Sequence, residues 1–151
     1  MNAAAPDVPV DQRLCLALYQ TSHAMEATYR VLLEQHGLTY PQYTVMSVLR
    51  QHGPTPVTGI ARRLGLSTNT VSPLLKRLER QGWVSRCRSE QDERTVLVDL
   101  TTKGRHLSRE VQDVPQRISA ATGLSELEQT DLVDRLHQLT AALRAHDVQT
   151  A

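Results

Sequence analysis

The stretch from Ser67 to Leu100, STNTVSPLLKRLERQGWVSRCRSEQDERTVLVDL, limits the possible folds more than any other part of this chain. Val71, Leu74, Leu75 and Leu78 recur at helical spacing, and Gly82 ends the run. The pattern then changes to alternation, with Val96, Val98 and Leu100 on one side of an extended segment. A switch from a period near 3.6 to a period of 2 calls for a helix packed on a two-stranded hairpin. The spacing predicts a helix over 68–81, capped by Ser67, and strands over 83–88 and 95–100. Pro73 lies past the first turn, lacks an amide donor, and is expected to kink the helix. The polar run Ser89-Glu90-Gln91-Asp92-Glu93 supplies the hairpin tip.

The segments around this unit are helical. A first helix is predicted over 11–36, with Asp11 as its cap, Gly37 as its stop, and Leu14, Leu18, Met25 and Leu32 on one side. Thr39 caps a second helix with Pro41 in its first turn, and His52-Gly53-Pro54 ends it. A short helix over 57–64 and the tight turn Gly65-Leu66 lead into the helix at Thr68, which is a helix-turn-helix arrangement. After the hairpin, Thr101 or Thr102 caps a helix that runs to about Ser119 and bends at Pro115. Ser125 and Glu128 form a capping box for a last helix to His146, with Leu127, Leu132, Leu136, Leu139 and Leu143 on one side. The fold class expected is mainly α with a small β-hairpin: a winged helix-turn-helix with a helical dimerisation domain built from both termini. Residues 1–10 form a disordered arm. Residues about 11–36 and 102–146 dimerise, and residues about 39–100 read the partner.

The charge distribution fits either an anionic partner or a solvated helix face with ordinary ion pairs. The chain as a whole is nearly neutral at +1, but residues 60–94 hold eight Lys or Arg against four Asp or Glu. Mildly acidic ends flank this basic middle, which argues for an anionic partner at the middle. In a helix-turn-helix protein the first residues of the second helix face base edges in the major groove. Here those are Ser67, Thr68, Asn69, Thr70 and Ser72, with Lys76 and Arg77 a turn later suited to phosphates. Arg86, Arg88 and Arg94 lie on or beside the hairpin, and a narrow minor groove attracts arginine. Asp92 and Arg94, two residues apart, are expected to pair and shape the wing. The expected partner is double-stranded DNA.

The element order, LKRLERQGWV and the wing RSEQDERTVLVDLTTKG together resemble the MarR family of winged-helix transcription regulators. The resemblance runs from about Leu14 to Leu143. It implies a homodimer on a near-palindromic operator, with half-sites about one helical turn apart.

LCLALYQTS from Leu14 to Ser22, with Tyr29 and TYPQY at Thr39–Tyr43, is similar to the organic-hydroperoxide-sensing OhrR-type branch of that family. The resemblance makes Cys15 the redox sensor, with Tyr19 and Tyr29 hydrogen-bonding to it. Independently of the resemblance, the positive end of a helix favours a thiolate near its start, and the thiolate is what peroxide oxidises. Tyr19 is four residues from Cys15, on the same helix face. Tyr29 is fourteen residues away, ~21 Å along a straight helix, and so is expected to serve the cysteine of a partner subunit. Cys87 departs from the family pattern, and no cysteine follows it. The chain therefore resembles the one-cysteine type, in which a small cellular thiol forms a mixed disulfide with the oxidised sensor.

Composition bounds the alternatives. No apolar run approaches the ~20 residues of a membrane span, and two distant cysteines make no disulfide framework. A cytoplasmic protein without a membrane partner is expected. The six histidines show no i, i+4 pair, so no metal and no cofactor is expected. The expected function is a repressor that releases its operator when organic hydroperoxide oxidises Cys15. Two other readings stand beside it: a MarR-type repressor released by a small aromatic ligand, and a thiol peroxidase. The chain lacks the alternating strand–helix pattern of a thioredoxin-like enzyme, so no enzyme is expected.

Overall fold

A computed structural model describes residues 8–89, 92 and 94–150, with side chains through His146. Residues 1–7 of the expected arm, and Glu90, Gln91 and Glu93 of the expected hairpin tip, lie outside the described residues. The chain divides into two compact units, Met1–Val114 and Pro115–Ala151.

The first unit contains the helix-turn-helix and the wing. A 3₁₀ turn at Val10–Gln12 precedes α1, Leu14–Leu33, and a second 3₁₀ turn at Glu34–His36 follows it. The single helix expected over 11–36 is therefore divided. Arg13, extended at φ −78° and ψ 129°, takes the place expected for Asp11 as N-cap. Gly37 then turns the chain in the left-handed region at φ 67°, which suits a residue without Cβ. α2, Tyr40–His52, starts as expected: Thr39 and Gln42 exchange side-chain and backbone hydrogen bonds in a capping box.

Thr55–Pro56 forms β1, α3 spans Val57–Leu64, and α4 spans Thr68–Arg80 with Ser67 as its cap. Pro73 lies inside α4, which continues to Arg80. β2, Val84–Arg88, and β3, Val96–Leu100, form the antiparallel hairpin. The expected two-stranded wing is in fact part of a three-stranded sheet in the order β1-β3-β2, because Thr55 pairs with Val98 and Pro56 with Leu97. Two residues ending in proline carry no strand signal, so pattern alone cannot show β1. α5, Thr102–Glu110, closes the unit under the cap of Thr101.

The core follows the apolar periodicities. Leu33, Met46, Leu49, Ile60, Val71, Leu75, Leu78 and Val98 are fully buried. Leu74, expected in the buried stripe of α4, is only half-buried. Val96 is exposed at the far end of β3, whereas Val98 and Leu100 face inward. α1 contributes little to this core, since Leu33 is its one buried residue.

The helix expected from Thr102 to about Ser119 is two helices. α5 ends at Glu110, and α6, Val114–Ala121, begins with Pro115 in its first turn. Proline fits a first turn but not a helix interior, so the expected bend is a break. In the second unit Ser125 and Glu128 form the expected capping box, with Ser125 N–Glu128 Oε2 at 2.8 Å and Glu128 N–Ser125 Oγ at 3.3 Å. α7 spans Glu126–Thr150, past the expected end at His146. Gln129 ties α7 back to α6, accepting from the Ser119 hydroxyl at 2.8 Å and donating to the Leu124 carbonyl at 2.9 Å. The leucine side of α7 exists but is not buried: Leu127 is 80% exposed, and Leu132 and Leu143 are also exposed. No helix among the described residues is long and apolar enough to cross a membrane.

Candidate nucleic-acid interface and thiol site

α4 presents the expected polar start. The Ser67 hydroxyl accepts from the Thr70 amide at 3.2 Å and shares a 2.9 Å hydrogen bond with the Thr70 hydroxyl, so it is engaged in starting the helix. Thr68, Asn69 and Thr70 are exposed on the first turn, whereas Ser72 is half-buried. Lys76 and Arg77 are exposed one to two turns later. Arg77 also lines, with Gln42, Arg80 and Gln81, a surface pocket of about 260 Å³.

The wing is ordered by backbone contacts. Asp92 accepts from the Arg94 amide at 3.0 Å and from the Thr95 hydroxyl at 2.9 Å. These two hydrogen bonds hold its carboxyl below the usual aspartate value of 3.8, the amide contributing more. Asp92 therefore shapes the wing as expected, but it grips the Arg94 backbone where a side-chain ion pair was expected. Arg94 and Arg88 are exposed. Arg86 is engaged differently: its Nε lies 3.0 Å from Glu79 Oε1 on α4. Register explains why. Val84, Arg86 and Arg88 alternate onto the face that carries Val98 and Leu100, toward the body, while Ser85 and Cys87 point the other way. Arg86 thus braces the wing against the reading helix. The sequence reading missed Glu79, since a partner across a helix and a strand has no periodic signature.

A second set of contacts fixes the far end of α4. The Thr101 hydroxyl donates to the Gly82 carbonyl at 2.6 Å, Lys103 Nζ to the Gln81 carbonyl at 2.9 Å, and the Thr101 amide to the Trp83 carbonyl at 3.1 Å. Asp99 accepts from the Leu100 amide at 2.7 Å and pairs with Arg105 Nη2 at 2.6 Å. The end of the reading helix, the wing's base and the start of α5 therefore form one hydrogen-bonded junction.

Cys15 lies nearer a helix start than the expected boundary implied. With Arg13 as N-cap it is the second helical residue of α1, and its thiol is exposed and free. Tyr19, 63% exposed, lies one turn on, but its ring packs on His23 with centroids 4.3 Å apart. Tyr29 is at the other end of α1, stacked on Tyr40 at 4.3 Å and near Tyr43 at 5.7 Å. Burial, then the neighbouring Tyr40 and Tyr43, push the Tyr29 phenol up to about 12. Burial, then Glu26 and Tyr43, raise Tyr40 as well. Within one chain, no hydrogen bond among the described residues joins Cys15 to Tyr19 or Tyr29. Cys87 is an exposed, free thiol on the edge strand β2. No group of three or more metal-ligating side chains forms among the described residues.

An exposed polar helix start, a braced wing and a tied junction define a winged-helix module that reads DNA, not an active site. Comparison with known proteins agrees. The profile of the SarA/Rot transcriptional regulators matches residues 27–111. The chain is 42% identical over 147 residues to the HTH-type transcriptional regulator TtmR of Methylorubrum extorquens, covering 96% of this chain and 75% of that one. It is 39% identical over 134 residues to the organic hydroperoxide resistance transcriptional regulator of Bacillus subtilis, covering 89% and 86%. Among solved structures, reduced AbfR bound to DNA, a protein of Staphylococcus epidermidis, superposes with a TM-score of 0.72 at 35% identity, covering 86% of this chain and 91% of that one. The chain belongs to the winged-helix transcriptional regulators of MarR/SarA type, on the side of the organic hydroperoxide regulators. It is a regulator of transcription and not an enzyme.

Proposed function

We propose that this protein is a homodimeric repressor that binds a near-palindromic operator in double-stranded DNA and releases it when an organic hydroperoxide oxidises Cys15. One observation carries the reading: an exposed free thiol at the second residue of α1, in a chain 39% identical to an organic hydroperoxide resistance regulator. AbfR, 35% identical, has been solved on DNA in reduced and overoxidised forms, which supports redox chemistry in this group. Thr68, Asn69 and Thr70 read the major groove, Lys76 and Arg77 hold phosphates, and Arg88 and Arg94 serve the wing. Ser67 caps the helix, Ser72 flanks it, Asp92 shapes the wing and Arg86 braces it.

The Cys15 thiolate attacks the terminal peroxide oxygen: an S–O bond forms, the O–O bond breaks, and the leaving alkoxide takes a proton from water to depart as an alcohol, leaving a sulfenic acid on Cys15. A small thiol then condenses with the sulfenic acid to give a mixed disulfide and water. Tyr19 serves its own Cys15 one turn away, and Tyr29 serves the cysteine of the second copy, because ~21 Å of helix separates it from its own. Dimerisation falls to the terminal helices, whose apolar side chains Leu14, Val31, Leu127 and Leu143 are exposed in the single chain. A second reading, release by a small aromatic ligand, draws on a pocket of about 310 Å³ lined by Glu26, Arg30, Leu38, Thr39, Tyr40 and Pro41. Operator binding by the parent protein and Cys15→Ser, before and after cumene hydroperoxide with a small thiol present, separates the two. Release by the parent alone supports the cysteine sensor, and equal release by both proteins rejects it.

A further inference from the structure

Three arginines converge on a pocket that neither the reading helix nor the thiol site uses. Arg50, near the end of α2, and Arg105 and Arg109, on α5, line a space of about 230 Å³ together with Leu100, Ser108 and Gln112. The only carboxylate in direct contact with this set among the described residues is Asp99, and both its oxygens are engaged: one accepts from the Leu100 amide, the other from Arg105. Arg50 and Arg109 have no ion pair among the described residues, so two cationic side chains border the pocket uncompensated. Ser108, 4% exposed as a residue, also lines the pocket.

We propose that this pocket is a binding site for a small oxyanion of the phosphate or carboxylate class. Guanidinium forks on two sides match the paired oxygens of either group, the Ser108 hydroxyl donates from the floor, and the Gln112 amide closes one edge. The volume is below the range typical of drug-sized ligands, so the occupant is small. Its position gives the site a route to the output, because α5 starts at the junction that holds Gln81, Gly82 and Trp83. A ligand that bridges α2 and α5 stabilises the unit in which the reading helix is anchored.

The test titrates the full-length protein with inorganic phosphate, and separately with benzoate, at constant ionic strength maintained with chloride. Calorimetry and the arginine Nε–H resonances report binding. Saturable binding of at least one anion is expected, weakened about tenfold or more by Arg50→Gln or Arg109→Gln, the share of one charge-assisted hydrogen bond. Ser108→Ala should weaken it by a smaller factor, and Arg80→Gln should leave it unchanged. Which anion binds distinguishes a phosphate ester from a carboxylate as the physiological class. Arg50 and Arg109 are exposed, so these variants should keep the parent's circular dichroism and melting temperature in the absence of anion. Absence of saturation with both anions, or an equal loss with Arg80→Gln, overturns the proposal. So does a flattened salt dependence of operator binding in Arg109→Gln without anion binding, which would assign the cluster to the DNA backbone.

Discussion

Replacing Gly104 with alanine tests the junction between the reading helix, the wing and α5. Gly104 is the third residue of α5, buried where the helix crosses the chain at Trp83. A Cβ built on it would overlap the Trp83 carbonyl oxygen, lie 2.9 Å from the Trp83 carbonyl carbon and 3.3 Å from Leu100 Cδ2. Two effects compete. Alanine in place of glycine favours a helix interior by up to ~1 kcal/mol, and less in a first turn. Against that, the overlapping atoms are backbone and cannot rotate away. Relief requires α5 to shift from the hairpin base, which strains the Thr101 amide–Trp83 carbonyl hydrogen bond of 3.1 Å. Overpacking of this kind costs about 1–3 kcal/mol, and a strained buried hydrogen bond adds about 1 kcal/mol. The overlap therefore wins, and Gly104→Ala should destabilise the chain by about 1–3 kcal/mol. At ~2–4 °C per kcal/mol for a chain of this size, the melting temperature falls by several degrees. Urea denaturation with an unchanged slope measures the loss directly. Gly59→Ala is the comparison, since its Cβ would meet only side-chain atoms, Thr55 Cγ2 at 3.0 Å first, and should stay within about 1 kcal/mol of the parent. A Gly104→Ala protein as stable as its parent would show that the close approach at Trp83 does not constrain the fold.

Arg94→Gln should weaken operator binding and lower the slope of its salt dependence by about 0.9 for each phosphate that Arg94 neutralises. Arg86→Gln should leave the slope unchanged, because Glu79 already holds that guanidinium. Binding isotherms across a salt series separate the two, and identical slopes for both variants would remove the bracing role of Arg86. Tyr29 should ionise near pH 12, later than an ordinary tyrosine, so the folded state loses stability as pH climbs from 10 through about 12 and is unaffected below 10. Ultraviolet difference titration of the parent against Tyr29→Phe isolates that phenol, and a midpoint near 10 would mean the stack with Tyr40 and Tyr43 does not form.

The parts of the fold that were legible in the sequence are those written in local patterns. Val71, Leu75 and Leu78 repeat at helical spacing, Thr39 caps a helix with Pro41 in its first turn, and Ser125 with Glu128 forms a capping box within four residues of chain. Each is a statement about near neighbours, and each appears in the structure. What pattern could not give depends on distant pairing. β1 exists only because Thr55 meets Val98, forty-three residues later, and a two-residue run that ends in proline gives no strand signal alone. Glu79 and Arg86 pair because the strand register aims an arginine back at α4. Pro115 was visible, but whether a proline bends a helix or starts a new one is decided by the three-residue turn before α6, which has no distinctive composition. The basic middle of the sequence pointed toward an anionic partner. The Arg50–Arg105–Arg109 cluster did not stand out, since its members come from segments whose net charge is acidic.

The same distinction bears on the proposed sensor. Cys15 and Tyr19 are one turn apart in any chain with this helix, so their nearness in sequence is local and carries little information. Tyr29 is different. Its ring is fixed against Tyr40 and Tyr43 at the end of α1 where Leu33 anchors the helix, while Cys15 lies at the opposite, uncovered end. A straight helix does not shorten, so no motion within one copy brings the phenol to its own thiol without unwinding about fourteen residues. If Tyr29 supports the sensing cysteine, that cysteine must belong to a second copy. Its phenol is protonated at neutral pH and so has an O–H to donate to such a thiolate. On that proposal, oxidation would remove the charge that this donor faces, and the loss would act across a subunit boundary. A monomeric variant that kept a peroxide-reactive Cys15 would show the tyrosine to be packing alone. A monomer whose cysteine reacted as slowly as a free thiol would tie the reactivity to the dimer.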